Sequence, residues 1–184
     1  MVWRVLALML TRWFWLQNLI IGAAMKRPYF HLTGYMDRWW LLPGAAADDP
    51  KSQYRPPWWL RRLPISIRLH HIKRPDGDRH LHDHPCDFRS IILSGYYVEE
   101  RIAVTVHDYG VVPDYGRARL WRRAGETYFA SATEYHAIVA MPATGVWTLF
   151  VMYQSLGPGW NRWGFLVDGK KVPWREYLKE HSNE

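Results

Sequence analysis

Leu81-His82-Asp83-His84-Pro85-Cys86-Asp87-Phe88-Arg89-Ser90-Ile91-Ile92-Leu93-Ser94-Gly95 is the stretch on which the reading of this sequence turns. Just before it stands His80, so that His80, His82 and His84 occupy alternate positions. On an extended chain, residues i, i+2 and i+4 share one face, and two such imidazoles can grip one metal ion from a single strand. Pro85 ends that strand, and the apolar run to Gly95 supplies the next. A further histidine, His136, follows Tyr128–Tyr135 and begins another β-type run. A polar edge strand would show the same His-x-His-x-His alternation, but it would not bring a fourth histidine at the head of a later strand. His70 and His71 read as core or surface residues, and His31, His107 and His181 as structural or solvated ones.

Outward from this segment the pattern is β. Ile65, Ile67 and Leu69 alternate with Ser66, Arg68 and His70. Runs of β-formers follow over Ser90–Val98, Ile102–Val106, Thr127–Ala130, His136–Val139 and Val146–Tyr153, many of them separated by Gly or Pro. Asp168-Gly169 between Phe165–Val167 and Lys170–Val172 is a hairpin-turn signal. Trp174–Glu180 reads as a short terminal helix.

Upstream, residues 26–64 are rich in proline, glycine and tryptophan and read as irregular wrapping, with a polar loop over Ala45–Ser52. Residues 1–25 stand apart as one apolar helix. Arg4, Arg12, Gln17 and Asn18 interrupt the run of about 20 apolar residues that a spanning helix needs. Arg4, Thr11 and Asn18 fall on a thin polar stripe at 100° per residue. Three uses fit such a helix: docking on the domain or in a homodimer interface, peripheral contact with a membrane, or a signal peptide, whose apolar core Arg12 would spoil.

The 184 residues suit one domain with an added arm. Apolar residues at 48% and aromatic residues at 16% exclude a disordered chain. The formal charge of +7 suggests attraction to polyanions or acidic membranes. The basic residues are scattered, however, and no nucleic-acid-binding signature is present among them. The lone Cys86 allows neither an internal disulfide nor a cysteine-based zinc cluster and fits a reducing, cytoplasmic compartment. It reads as a small buried filler.

His82-x-His84, a short gap, a strand and Gly95, followed about fifty residues on by His136, resemble the two motifs of the cupin superfamily over residues 65–153. Leu81–Pro85, Ser90–Gly95, Gly145–Phe150 and Trp163–Leu178 are similar to small cupin-domain proteins of phages and bacteria. The resemblance implies a mainly β chain: a single cupin-type double-stranded β-helix, or jelly-roll barrel, over 65–184 with a C-terminal hairpin and helix, preceded by the helical and irregular arm. It implies that His82, His84 and His136 face into the barrel and bind one divalent metal, and that the setting is a bacterial or phage-infected cytoplasm. Two departures matter. Cupins carry a Glu seven residues before the Gly of the first motif, where this chain has Phe88, and a Pro-x-Gly turn before the second-motif His, where it has Ala132-Thr133-Glu134. Either a bulge turns the adjacent Asp87 inward as a ligand or an orienting group, or the site has three histidines only.

Imidazole with at most one carboxylate favours iron(II), with zinc, manganese or nickel also compatible. A non-haem enzyme of oxygenase or hydroxylase type, acting on an unidentified small or aromatic molecule, is the first functional expectation, with Arg89 as an anchor for a substrate anion. The other is a non-catalytic cupin module whose metal, if any, is structural.

Overall fold

The computed structural model describes residues 1–44, 51–77, 80–104, 115–153 and 163–180. Arg79, His107, His181 and most of the loop expected over 45–52 lie outside them. The chain begins with two helices, α1 (Val2–Arg12) and α2 (Phe14–Met25). Among the described residues ten strands follow: β1 (Met36–Leu42), β2 (Ile65–Ile72), β3 (Asp87–Ser94), β4 (Tyr96–Val104), β5 (Tyr115–Arg123), β6 (Thr127–Ala130), β7 (His136–Ala140), β8 (Val146–Tyr153), β9 (Gly164–Val167) and β10 (Lys170–Pro173). A last helix, α3, covers Trp174–Glu180.

Among the described residues every strand pairing is antiparallel. One sheet has the order β1-β2-β8-β3-β6 and the other β5-β4-β7, with the β9–β10 ribbon beside it. Strands far apart in sequence therefore lie side by side, as a jelly roll requires. The turn at Gly95, with φ +80, passes the chain from β3 in one sheet to β4 in the other. It divides the β-rich run Ser90–Val98 between the two strands, at the Gly95 where the sequence ends the first of them. The Asp168-Gly169 turn is as the sequence predicts, both residues having positive φ (49° and 75°).

Alternation along β3 sorts the two sides of the larger sheet. Phe88 and Ile92 face the barrel interior, where Ile92 packs with Tyr97, Ile138 and Val146. Ile91 and Leu93 face outward and pack with Leu69, Leu149, Ala7 and Leu10. The helices thus cover the outer wall, and the sites described below lie on the other side of it.

Two sequence expectations change. Residues 26–64 contain β1, which pairs with β2 from Met36↔Ile72 onward. Its signal is hidden because both faces are buried: Trp39 packs outward on Trp147, with ring centroids 5.7 Å apart, and Trp40 packs inward beside Tyr29 at 5.0 Å. No alternation of polar and apolar residues remains to be read. Residues 1–25 form two helices bent by 95° at Trp13 rather than one. The bend lets α1 lie on β3 and α2 on β1 and β2. One straight helix of that length, about 37 Å at 1.5 Å per residue, would run off the wall.

Gly145 has φ +79 in the turn before β8, and a Cβ there would lie 2.6 Å from His71 Nε2 and 2.7 Å from the Ile72 carbonyl oxygen. Left-handed strain costs about 1–2 kcal/mol for a residue with a Cβ, and the clash adds to it. Gly145→Ala should therefore lower unfolding free energy by at least about 2 kcal/mol. Urea titration followed by tryptophan fluorescence checks this, and an unchanged midpoint would contradict the assigned turn.

Candidate metal centre

His82 sits in a short extended segment that exchanges two backbone hydrogen bonds with the first residue of β7: His82 N–H to His136 O at 2.9 Å and His136 N–H to His82 O at 3.0 Å. His82 also bridges to Phe165 of β9. The 81–84 segment is thus an isolated bridge rather than the strand expected from the sequence, and it joins the smaller sheet to the β9–β10 ribbon. Alternation within it sends Asp83 the other way. The Asp83 carboxylate accepts from Gly164 N–H at 2.6 Å and pairs with Lys171, fastening the ribbon.

The three imidazoles converge. His84 Nε2 and His136 Nε2 are 2.7 Å apart, and one nitrogen from each of His82, His84 and His136 lies within 4.8 Å of the other two. His80 stays outside this group and stacks edge-on against Tyr177 of α3, its Nδ1 3.0 Å from the phenol oxygen. His70 is buried inside the barrel, stacked on Phe150 at 5.0 Å, whereas His71 lies on the outer face against Trp147 at 4.3 Å. His31 accepts from Arg38 N–H at 2.9 Å.

Behind His136 stands Glu99 of β4, fully buried, whose Oε1 accepts from His136 Nδ1. Arg101 donates to the same carboxylate at 2.8 Å and Arg122 at 2.7 Å. Burial alone would raise the Glu99 pKa. The hydrogen bonds and charges of His136 and Arg101 outweigh it and hold the pKa at about 2. A His136 that donates from Nδ1 to the Glu99 carboxylate has its Nε2 lone pair directed at the other imidazoles. His84, only partly accessible, has its pKa held well below the usual imidazole range, first by burial and then by the charges of His136, His82, His70 and Arg101. A neutral imidazole is the form that binds metal. Three imidazole nitrogens within 4.8 Å of one another would be able to hold one ion between them. The donor set therefore fits a divalent transition metal.

Sequence reasoning missed Glu99. Its signal is two adjacent acids, Glu99 and Glu100, in a β-rich run, matched by the arginines of β5. Arg122 answers Glu99 on the inner face, while Arg117 and Arg119 answer Glu100 at 2.7 and 3.3 Å on the outer one. The arginines expected to form a scattered solvated surface are in part these counter-charges.

The other candidate residues fall elsewhere. Asp87 does not join the three-histidine group; its Oδ1 accepts from Ala132 N–H at 2.8 Å. His84 N–H donates to Ala132 O at 3.2 Å, so both residues grip the loop that delivers His136. Arg89 must be corrected as a substrate anchor. It follows Phe88 on β3, and alternation places it on the outer wall, over Trp3 at 5.3 Å and Phe129 at 5.8 Å, where it cannot face the imidazoles. Phe88 itself lines the site, 4.5 Å from the His84 ring and 5.8 Å from that of His136. Burial pushes the Cys86 thiol up to about 11, the Arg68 charge lowering it and the Asp87 charge raising it.

No family model matches this sequence, and neither does any curated protein sequence. The fold does have solved counterparts. Vicilin from Corylus avellana (hazelnut) superposes with a TM-score of 0.50 at 14% identity, over 73% of this chain and 34% of its own. Oxalate decarboxylase superposes with a TM-score of 0.50 at 11% identity, over 84% of this chain and 32% of its own. This chain spans about a third of the length of those proteins, and at such identities the likeness is one of fold.

Carboxylates that orient ligand histidines change metal affinity about 10–100-fold. Glu99→Gln should weaken divalent-metal binding by that factor in a competitive chelator titration. Its pH dependence has a definite sign. A carboxyl held at about 2 in the fold, against an ordinary 4.5, contributes stability above pH 4.5 that disappears as pH falls toward 2. Acid unfolding of the metal-free protein should show a stability gap to Glu99→Gln that is constant above pH 4.5 and shrinks below it, by on the order of 3 kcal/mol. A pH-independent gap would remove the ionised carboxylate from the site.

Proposed function

The chain has the cupin-type jelly-roll fold, and on that frame we propose that it is a mononuclear metal-dependent enzyme of the non-haem oxygenase or hydroxylase type. The observation that carries this reading is the convergence of His82, His84 and His136, with Glu99 buried behind His136. Three neutral imidazoles would hold one divalent metal, iron(II) by preference, and such a metal would supply a Lewis-acid or redox centre with positions left for substrate.

The chain's own groups have separable tasks. Glu99 orients the His136 ring, the hydrogen bonds and charges of His136 and Arg101 keep that carboxylate ionised inside the barrel, and Arg122 donates to it as well. Burial keeps His84 unprotonated and ready to bind. Phe88, Phe150 and Tyr128 wall the site with aromatic rings, Phe88 lying 4.5 Å from Phe150 and 6.1 Å from Tyr128. Such a wall keeps water away and suits a small or aromatic substrate. With no carboxylate among the three ligands, the centre would retain the full dipositive charge of the metal, which favours an anionic group on the incoming molecule.

One observation supports a second reading, a cupin module with a structural metal or none. A cleft of about 500 Å³ opens next to the site, bounded by Pro64, Ile65, Pro85, Cys86, Asp87, Ala132 and Tyr153, and none of the three histidines lines it. Anaerobic loading with iron(II) followed by nitric oxide separates the readings. An enzyme centre should give an iron–nitrosyl paramagnetic resonance signal, and His84→Ala/His136→Ala should bind no iron by elemental analysis. Iron that binds to the native chain without a nitrosyl signal would replace the enzyme reading with the structural one.

A further inference from the structure

Helices α1 and α2 are seated on the outer wall of the larger sheet by narrow strips. Ala7 and Leu10 of α1 and Gln17 and Ala24 of α2 are buried, and Gln17 Nε2 donates to the Leu93 carbonyl oxygen at 2.8 Å. Because both helices lie on one wall, the sides turned away from it look outward together. Those sides are apolar: Val2 is 76% exposed, Val5 52%, Leu8 46%, Phe14 72%, Trp15 65% and Leu19 62%. Soluble surfaces scatter such side chains singly, and a continuous patch of them marks an interaction surface.

The charges that the two helices themselves carry have one sign. Arg4, Arg12 and Lys26 are exposed, and no Asp or Glu occurs before Asp37. Trp13 and Trp15 stack at the bend, with centroids 6.2 Å apart. Tryptophan with arginine, beside exposed aliphatic and phenylalanine side chains, is the composition of helices that lie at the boundary between headgroups and acyl chains. Among the described residues no single helix is long and apolar enough to cross a membrane; α1 and α2 reach that length and composition only together, across the 95° bend.

We propose that this face docks the protein on an anionic lipid bilayer, with Phe14, Trp15, Leu19 and the apolar side of α1 at the acyl boundary and Arg4, Arg12 and Lys26 among the headgroup phosphates. The charge pattern favours lipid over a second copy of the chain. A two-fold contact through this face would set Arg4 and Arg12 of one copy near those of the other, with no acidic residue in the first 36 positions to compensate. Anionic phosphates supply that compensation.

Co-sedimentation of the full chain with phosphatidylcholine vesicles, with and without phosphatidylserine, tests this. The native protein should pellet with the phosphatidylserine vesicles at low salt and at least about tenfold more weakly without that lipid or at high salt. Phe14→Ser/Trp15→Ser/Leu19→Ser changes exposed positions only and should reduce binding at least about tenfold, as should Arg4→Gln/Arg12→Gln. Arg117→Gln/Arg119→Gln, on the other sheet, should leave it unchanged. Brominated lipid should quench the native fluorescence more than that of Trp13→Phe/Trp15→Phe, a readout independent of the serine variant's folding. Failure of the native chain to bind, equal loss in the Arg117/Arg119 variant, or a native dimer that the serine variant turns into a monomer would each overturn the proposal. The last result would assign the face to a second copy.

Discussion

The pair of backbone hydrogen bonds exchanged by His82 and His136 is the constraint on which the rest depends. It joins two stretches more than fifty residues apart, sets two imidazoles side by side, and extends the smaller sheet toward the β9–β10 ribbon through the bridge from His82 to Phe165. The neighbouring contacts reinforce it: His84 and Asp87 both hold Ala132, so the loop before His136 is fastened from its far side. Metal binding by the three histidines would therefore be coupled to closure of the barrel. A cation drawing the imidazoles together would stabilise the same bridge that positions them.

Electrostatics inside the barrel follow from that geometry. A buried carboxylate is expensive unless its oxygens are bonded, and Glu99 has three cationic or hydrogen-bonding partners in His136, Arg101 and Arg122. Removing one of them leaves a buried charge without its full set of partners, which is worse than never having placed it there. The next residue, Glu100, points to the other side of the strand and has its own arginines. The strong basicity of residues 117–123 is thus divided between the two faces of one strand, an arrangement that composition does not reveal.

What was legible in the sequence was what local spacing controls. His82 and His84 two apart, the Asp168-Gly169 turn and the terminal helix are short-range patterns, and the structure keeps each. The convergence with His136 was readable through resemblance, since no spacing rule brings residues 82 and 136 together. The failures share a cause. Strand β1 was unreadable because Trp39 and Trp40 are buried on opposite faces, and the break at Trp13 because it answers to the wall beneath the helices. Arg89 was misjudged because nearness in sequence to the histidines says nothing about which side of β3 it faces. Glu99 was passed over because two of its partners, His136 and Arg122, lie on other strands.

Strand β5 ends its sheet among the described residues, with a row of backbone groups that no strand covers on the outer side. Such an edge is a template on which another copy could add its own strand and begin a growing fibril. Here the edge displays Arg117 and Arg119, whose side chains are 63% and 71% exposed. Two β5 edges brought together would set these guanidinium groups against one another at strand-to-strand distance. The arginines that neutralise Glu100 within one molecule would thus also oppose edge-to-edge pairing of two molecules.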